Sequence, residues 1–302
     1  MKSIPVAIVG GGPAGIAAAI QLRRMGVEAV LFEEDVLGGL MAQADWIENY
    51  PGFPSGIKGD DLARRFREWF ARQAVDTRNE QVLTLDYDPD RRTFILATAH
   101  GRLSADRVII ASGTKPKALP LFDSLPEELR ARVFYDRRKV PEGEKRRVAI
   151  IGAGDIALDY ALGLSIVPGH EVVILCRGEK CRALPVLQER IDRIRTIQIR
   201  FQVELDMAVP GPDGKIRLAG THPTGRFGLD VDDVLVAVGR EARKDFYSPR
   251  LMRLENDLIG SGRLFLAGDV KNGLRRQVGI AVGDGLSAAM AAAGVRDVEG
   301  DQ

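Results

Sequence analysis

The chain has 302 residues, and its 43 Lys+Arg against 42 Asp+Glu leave a net charge of +1. That length allows two domains of ordinary size, while the balanced charge excludes the electrostatic pull that nucleic acid or an anionic membrane surface would exert. Two cysteines exclude a disulfide scaffold and point to a reducing, cytoplasmic setting.

The chain opens with apolar residues, Pro5 to Val9, that read as a buried parallel strand. It starts too close to Met1 for a signal peptide, and no later apolar run is long enough to span a membrane. The strand runs into Gly10-x-Gly12-x-x-Gly15, and a small-residue helix follows to Met25, ended by Gly26. The three glycines serve different ends. Gly10 makes the tight turn, Gly12 lets a pyrophosphate approach the backbone, and Gly15 lets helix and strand pack closely. Phosphates are then met by the free N–H groups of the helix start. A second strand, Ala29 to Phe32, ends at Glu33, an acidic residue placed to hold a ribose hydroxyl.

Next come a second glycine pair, Gly38-Gly39, and a proline-punctuated loop from Trp46 to Pro54 of the functional type. A helix capped by Asp60-Asp61 is expected to bury Leu62, Phe66, Trp69 and Phe70 and to expose its arginines. Val82–Tyr87 and Thr93–Thr98 read as strands joined by a turn, and a third apolar run from Arg107 ends in Ala111-Ser112-Gly113. Small residues there allow close approach of a cofactor. Leu119 to Lys145 reads as a crossing segment.

The opening pattern then recurs. Arg147 to Ile151 is a strand, Gly152-Ala153-Gly154-Asp155-Ile156-Ala157 a GxGxxA turn into a helix, and Glu171 to Leu175 the next strand. Two such fingerprints in one chain imply two dinucleotides and electrons passing between them, which points to a flavin and a nicotinamide. Gly214–Ala219 and Val231–Val238 read as strands closing this unit at Gly239. A final strand ends in Gly268-Asp269, whose N–H and carboxylate suit a sugar or ribityl chain, and Gly279–Ala293 reads as a Gly/Ala-rich helix. His100, His170 and His222 lie in turns or at domain edges, and no metal-ligand cluster stands out.

Together these residues resemble the low-molecular-weight thioredoxin reductase family, FAD- and NADPH-binding flavoproteins. The resemblance rests on Gly10 to Gly15, Glu48-Asn49-Tyr50-Pro51-Gly52, Ala111-Ser112-Gly113, Gly152 to Ala157, and Gly268-Asp269-Val270 followed by Arg276-Gln277. It implies an α/β fold of two three-layer, Rossmann-like domains, the second inserted into the first. The FAD domain would take residues 1–114 and 245–302, and the NAD(P) domain 115–244. The FAD site it implies holds Gly10, Gly12, Pro13, Ala14, Gly15, Glu33, Glu34, Gly39 and Leu40, with Asn49 and Gln277 by the flavin ring and Val82 by the adenine. It continues with Ala111, Ser112, Gly113, Gly268, Asp269, Arg276 and Val278. The NAD(P) site takes Gly152, Gly154, Asp155, Ile156 and Gly239, with Arg177 and Arg182 for a 2′-phosphate, so NADP is expected modestly over NAD. A homodimer is implied.

Two departures qualify the resemblance. Val133 to Val140, where the family carries its redox Cys-x-x-Cys, contains no cysteine, and only a thiol can relay electrons by disulfide exchange. In the 2′-phosphate segment, Gly178 and Glu179 dilute the arginines. Cys176 and Cys181 have the Cys-x4-Cys spacing of larger disulfide reductases but fall in the other domain, and read as a strand-end and a loop cysteine. The expected activity is FAD-dependent NAD(P)H oxidation centred on the flavin, with no catalytic side chain and a small-molecule or redox-protein acceptor other than thioredoxin. Two alternatives are a ferredoxin/flavodoxin–NADP reductase and a non-catalytic FAD-binding sensor.

Overall fold

The computed structural model describes residues 3–294. The chain divides into two compact units, one formed by residues 1–115 and 241–302 and the other by 116–240. The expected boundaries at 114 and 245 differ most at the return, where Glu241 to Lys244 go with the first unit. The reason is local: the Arg243 N–H donates to the Gly113 carbonyl at 3.1 Å, and the Ser112 hydroxyl donates to the Arg243 carbonyl at 2.6 Å.

The first unit begins with β1 (Ser3–Val9), α1 (Pro13–Arg24), β2 (Ala29–Glu33), α2 (Gly59–Ala71) and β3 (Asp76–Asn79). β4 (Thr84–Asp88), β5 (Thr93–Thr98) and β6 (Gly101–Ile110) follow, and β7 (Thr114–Pro116) leads out of the unit. β1 pairs in parallel with β2 on one side and β6 on the other, with Ile8 opposite Leu31 and Ile109. Val6, Ala7 and Ile8 are fully buried, as a parallel strand covered on both faces requires. On α2, Leu62, Phe66 and Phe70 are buried as expected, but Trp69 is 43% exposed. It lies at the edge of the apolar stripe and touches Phe66 only edge-on, at 6.4 Å between ring centres. The strand expected from Val82 begins at Thr84, although Val82 itself is buried.

The second unit contains α3 (Glu127–Arg130), β8 (Val133–Phe134), β9 (Arg147–Ile151), α4 (Asp155–Ser165), β10 (Glu171–Leu175), α5 (Pro185–Asp192) and β11 (Ile197–Arg200). β12 (Glu204–Pro210), β13 (Ile216–His222) and β14 (Gly225–Val231) form a separate antiparallel meander, β15 (Asp233–Val236) returns to the parallel sheet, and β16 (Arg240–Ala242) lies where the chain passes back into the first unit. The parallel order is β11-β10-β9-β15-β8. The stretch from Val231 to Val238 is therefore not one strand. At Asp232 the chain leaves the meander for the parallel sheet, and that turn is fixed by Asp232 N–H donating to the Arg147 carbonyl and Arg147 N–H donating to the Asp232 carboxylate at 2.7 Å. His170 lies in a turn, as expected, but is 1% exposed and not an edge residue.

Back in the first unit, α6 (Pro249–Gly260), β17 (Leu264–Leu266) and α7 (Val278–Ala292) complete the chain. β17 joins β6 in parallel, giving the order β3-β2-β1-β6-β17 with β5 and β4 continuing from β6. Each unit thus carries a five-stranded parallel sheet of Rossmann type. One face is covered by α1, α2 and α7 in the first unit and by α4 and α5 in the second, where the β12–β14 meander covers the other face. Glycines let α7 lie on α1: a Cβ on Gly285 would meet the Ala14 carbonyl at 2.1 Å.

Candidate dinucleotide sites

In the first unit, Gly10 follows β1 at φ +107°, a conformation that disfavours any side chain, and a Cβ there would meet the Ala111 carbonyl at 2.4 Å. The turn is thus pressed between β1 and β6 at the carboxyl end of the sheet, where open α/β folds bind ligands. Gly12 differs: a Cβ added there meets nothing within 4 Å. Beside it, α1 starts with no side-chain cap, leaving its first N–H groups for an incoming anion. Gly39 closes over this turn, its would-be Cβ 3.1 Å from Gly12 Cα, and Gly38 N–H donates to the Gly11 carbonyl at 2.8 Å. Open space at Gly12 and uncapped donors fit a pyrophosphate.

Glu33 ends β2 and is held there by two backbone donors, Gly11 N–H at 2.6 Å and Asp35 N–H at 2.9 Å. Each carboxylate oxygen keeps a lone pair for a sugar hydroxyl. A cavity of about 180 Å³ opens beside it, lined by Gly10, Glu33, Glu34, Val82, Ser112 and Arg243. Arg243 forms a fork with Glu34, the Nη2–Oε2 distance being 2.8 Å, and this hydrogen bonding raises the guanidinium above its ordinary value. Arg243 is absent from the sequence expectations. Nothing in the spacing marks it, because its partner lies 209 residues away.

The aromatic loop after the second glycine pair is closed by a two-way bridge, Ile47 N–H to the Ile57 carbonyl at 2.8 Å and Ile57 N–H to the Ile47 carbonyl at 3.0 Å. Tyr50 stacks on Phe53 and tilts against Phe66, which fixes the neighbouring Asn49. Asn49 Nδ2 then donates to Gln277 Oε1 at 2.5 Å, bringing the loop to the start of α7. Arg276 and Val278, on either side of Gln277, are both partly buried. Of the two N–H groups of the Gly268-Asp269 pair, that of Gly268 is already used within the protein. It donates to Asp284 Oδ2 at 3.1 Å, and Asp284 also receives Asn272 Nδ2 at 2.5 Å and pairs with Lys271 at 2.8 Å. Asp284 fixes the turn that carries Asp269. It is the one charged residue of α7, a signal the sequence does carry.

In the second unit, Gly152 repeats the geometry of Gly10, at φ +115° with a would-be Cβ 2.3 Å from the Ala237 carbonyl. Gly154 again faces open space and α4 again lacks a side-chain cap. Asp155 and Ile156 are exposed in its first turn. Asp155 Oδ1 accepts the Leu184 N–H at 2.7 Å, and the Arg182 N–H donates to the Ala153 carbonyl at 2.9 Å. Arg177 and Arg182 are both exposed. Gly239 sits at φ +111°, its carbonyl accepting the Lys117 N–H at 3.0 Å.

Cys176 is buried, its thiol 3.6 Å from the Lys180 carbonyl, and both cysteines are free thiols. Burial, and then Cys176, push the Cys181 thiol above its ordinary value, which keeps it protonated. Residues 133–140 form β8 and a short 3-10 turn, Arg137–Lys139, capped by Asp136. Asp136 receives the Arg138 N–H at 3.0 Å and the Arg138 guanidinium at 2.9 Å. Burial raises its carboxyl, but these hydrogen bonds outweigh that and leave it below the usual carboxylate range. Among the described residues, no group of His, Cys, Asp and Glu could hold a metal, and no helix is long and apolar enough to cross a membrane.

The profile of the pyridine nucleotide-disulphide oxidoreductases matches residues 4–285. The chain is 29% identical over 305 residues to a thioredoxin reductase of Chlamydia pneumoniae, across 94% of this chain and 96% of that protein. It is 28% identical over 309 residues to the thioredoxin reductase of Schizosaccharomyces pombe, across 95% of each. The crystal structure of Lactococcus lactis thioredoxin reductase in its FR conformation matches with a TM-score of 0.84 at 27% identity, covering 96% of this chain and 98% of that one. With two Rossmann-type units and this match over nearly its whole length, the chain belongs to the pyridine nucleotide-disulphide oxidoreductase family, as a thioredoxin reductase-like flavoprotein of the type that uses FAD and NADPH.

Proposed function

We propose that this protein is an FAD-dependent NAD(P)H oxidoreductase whose electrons leave the flavin for an acceptor other than thioredoxin. The observation that carries this reading is the segment 133–140. Its turn is built on the Asp136–Arg138 pair and contains no thiol, and the chain's two cysteines lie elsewhere, flanking a surface loop. Asp136 and Arg138 cannot exchange a disulfide.

In this reading, Gly10, Gly12, Pro13, Ala14 and Gly15 receive the FAD pyrophosphate, and Glu33 orients a ribose. Glu34, Val82, Ala111, Ser112 and Gly113 surround the adenosine end, with the Glu34–Arg243 fork as its wall. Gly39 and Leu40 cover the phosphates. Gly268 and Asp269 take the ribityl chain on a turn fixed by Asp284, while Asn49, Arg276, Gln277 and Val278 border the flavin ring. Gly152, Gly154 and Ile156 receive the nicotinamide dinucleotide, with Gly239 beside them, and Arg177 and Arg182 contact its 2′-phosphate. Bound FAD supplies the redox chemistry, accepting a hydride equivalent from NAD(P)H and returning electrons to the acceptor. The protein's share is to bind, orient and exclude water.

By its likeness to the thioredoxin reductases, the protein forms a homodimer and passes electrons to a small molecule or a redox protein. Anaerobic titration of the yellow holoprotein with NADPH and NADH in parallel, followed by an acceptor panel, tests the whole. Bleaching of the flavin and reoxidation by quinones, dyes or a redox protein support it. A flavin that neither nucleotide bleaches makes the chain a binding protein instead.

A further inference from the structure

The loop from Cys176 to Leu184 carries Arg177 and Arg182 and is tied down along its whole length. At its start, the Val203 N–H donates to the Cys176 carbonyl and the Gln202 N–H to the Gly178 carbonyl, each at 3.0 Å. In its middle, the buried Cys176 thiol lies 3.6 Å from the Lys180 carbonyl. At its end, the Arg182 N–H donates to the Ala153 carbonyl at 2.9 Å and the Leu184 N–H to Asp155 Oδ1 at 2.7 Å. The last two bonds join the loop to the Gly152–Asp155 turn itself. A carboxylate makes the bond at the end of the loop, that of Asp155, and a longer one of 3.4 Å in its middle, where Glu179 Oε1 accepts the Gln202 amide.

Asp155 suits the positive end of the helix dipole, but a dinucleotide bound at this turn would bring its own negative charge beside it. Asp155 stands in the first turn of α4, next to the open face of Gly154, where a bound pyrophosphate would be repelled by a second negative charge. Its side chain turns instead to the loop, accepting an N–H from a residue 29 positions away. We infer that Asp155 is a positioning residue for nucleotide discrimination: by holding the Leu184 N–H it fixes the Arg177–Arg182 loop so that the two guanidinium groups are pre-arranged for a 2′-phosphate. Pre-arrangement matters because each long arginine side chain loses rotamer freedom on binding, and a loose backbone adds to that loss. The inference rests on the proposed role of Arg177 and Arg182.

Two variants break the bond from opposite sides. Asp155→Ala removes the acceptor. Leu184→Pro removes the donor at a position whose φ of −56° and ψ of 141° suit proline. Asp155→Asn keeps an acceptor oxygen and loses only the charge. The measurement is calorimetric binding of 2′,5′-ADP and of 5′-AMP to the full-length holoprotein, expressed as a ratio, with melting temperatures recorded for every variant. The repulsion between Asp155 and the 5′-phosphate is common to both ligands and cancels in the ratio, and Asp155→Asn reports what loss of the charge does to the 2′-phosphate.

Asp155→Ala and Leu184→Pro should each lower the preference for 2′,5′-ADP by about tenfold, and the double variant should go no further, as expected of two halves of one contact. Asp155→Asn should bind both ligands somewhat more tightly and keep the wild-type ratio. An unchanged ratio in Asp155→Ala, in a wild-type protein that does discriminate and loses discrimination in Arg177→Ala, overturns the inference and leaves the nucleotide site intact. A wild-type protein that does not discriminate at all overturns the 2′-phosphate reading and this inference with it. If Leu184→Pro fails to fold, the contrast between Asp155→Ala and Asp155→Asn decides.

Discussion

Asn49 and Gln277 stand 228 residues apart in the chain and share a hydrogen bond, Asn49 Nδ2 donating to Gln277 Oε1 at 2.5 Å. Both side chains are exposed, so the bond is not there to satisfy a buried core. It aligns two amides at the end of the first unit where the Tyr50 loop meets the start of α7. In the proposed function this pair borders the flavin ring, each amide keeping further donors and acceptors for it.

Breaking the pair should therefore be felt by the cofactor. Asn49→Ala and Gln277→Ala should each weaken FAD binding by about 0.5–1.5 kcal/mol, the net worth of one such hydrogen bond, and the double variant should lose less than the sum. Fluorescence titration of the apoprotein with FAD reads this directly. Strict additivity would mean that the two amides meet the cofactor independently.

Gly12 makes a sharper case. Its φ is −74° and a Cβ there touches nothing, so Gly12→Val should fold as well as the wild type. The new side chain would occupy the space through which a pyrophosphate reaches the backbone. The variant should be isolated colourless, with an apoprotein melting temperature close to that of wild-type apoprotein. A yellow Gly12→Val protein would remove the pyrophosphate from this turn.

Arg177→Ala should raise the apparent KM for NADPH and leave that for NADH nearly unchanged. One charge-assisted contact is worth about 1.5–3 kcal/mol, a factor of roughly ten or more. Steady-state kinetics with a dye acceptor give both constants. Equal losses for both nucleotides would place Arg177 outside the 2′-phosphate site.

The cysteines should be bystanders to turnover. Burial and its neighbour hold the Cys181 thiol protonated, and Cys176 is enclosed against the Lys180 carbonyl. A thiol held in that form is a poor nucleophile at neutral pH. Cys176→Ser with Cys181→Ser should keep dye reduction within about twofold of wild type, while alkylation of the native protein should be slow. Loss of activity in the double variant would return the Cys-x4-Cys pair to the electron path.

The glycine turns, their flanking strands and both small-residue helices are legible in the sequence because each is a short-range pattern with one physical solution. Gly10 and Gly152 have to turn where no side chain fits, and the structure repeats that geometry in both units. What cannot be read is what long-range packing decides. Trp69 has helical spacing for the core yet lies at its margin, since spacing alone does not say how wide the buried stripe is. Val231–Val238 reads as one strand, but at Asp232 the chain changes sheets, so that Val231 ends the meander and Asp233–Val236 pair in the parallel sheet. Arg243, Asp284 and the Asp155–Leu184 bond are polar staples between distant segments, and such contacts leave no periodicity behind. The bond from the Gly268 N–H to Asp284, 16 residues further on, is another.

The central claim is that electrons leave the flavin without passing through a protein disulfide. The most direct measurement is NADPH-dependent reduction of thioredoxin, followed by its own dithiol output, beside reduction of a one-electron dye by the same preparation. The account predicts rapid dye reduction and negligible thioredoxin reduction, both unchanged when Cys176 and Cys181 are replaced by serine. Robust thioredoxin reduction that disappears with those two cysteines would contradict it.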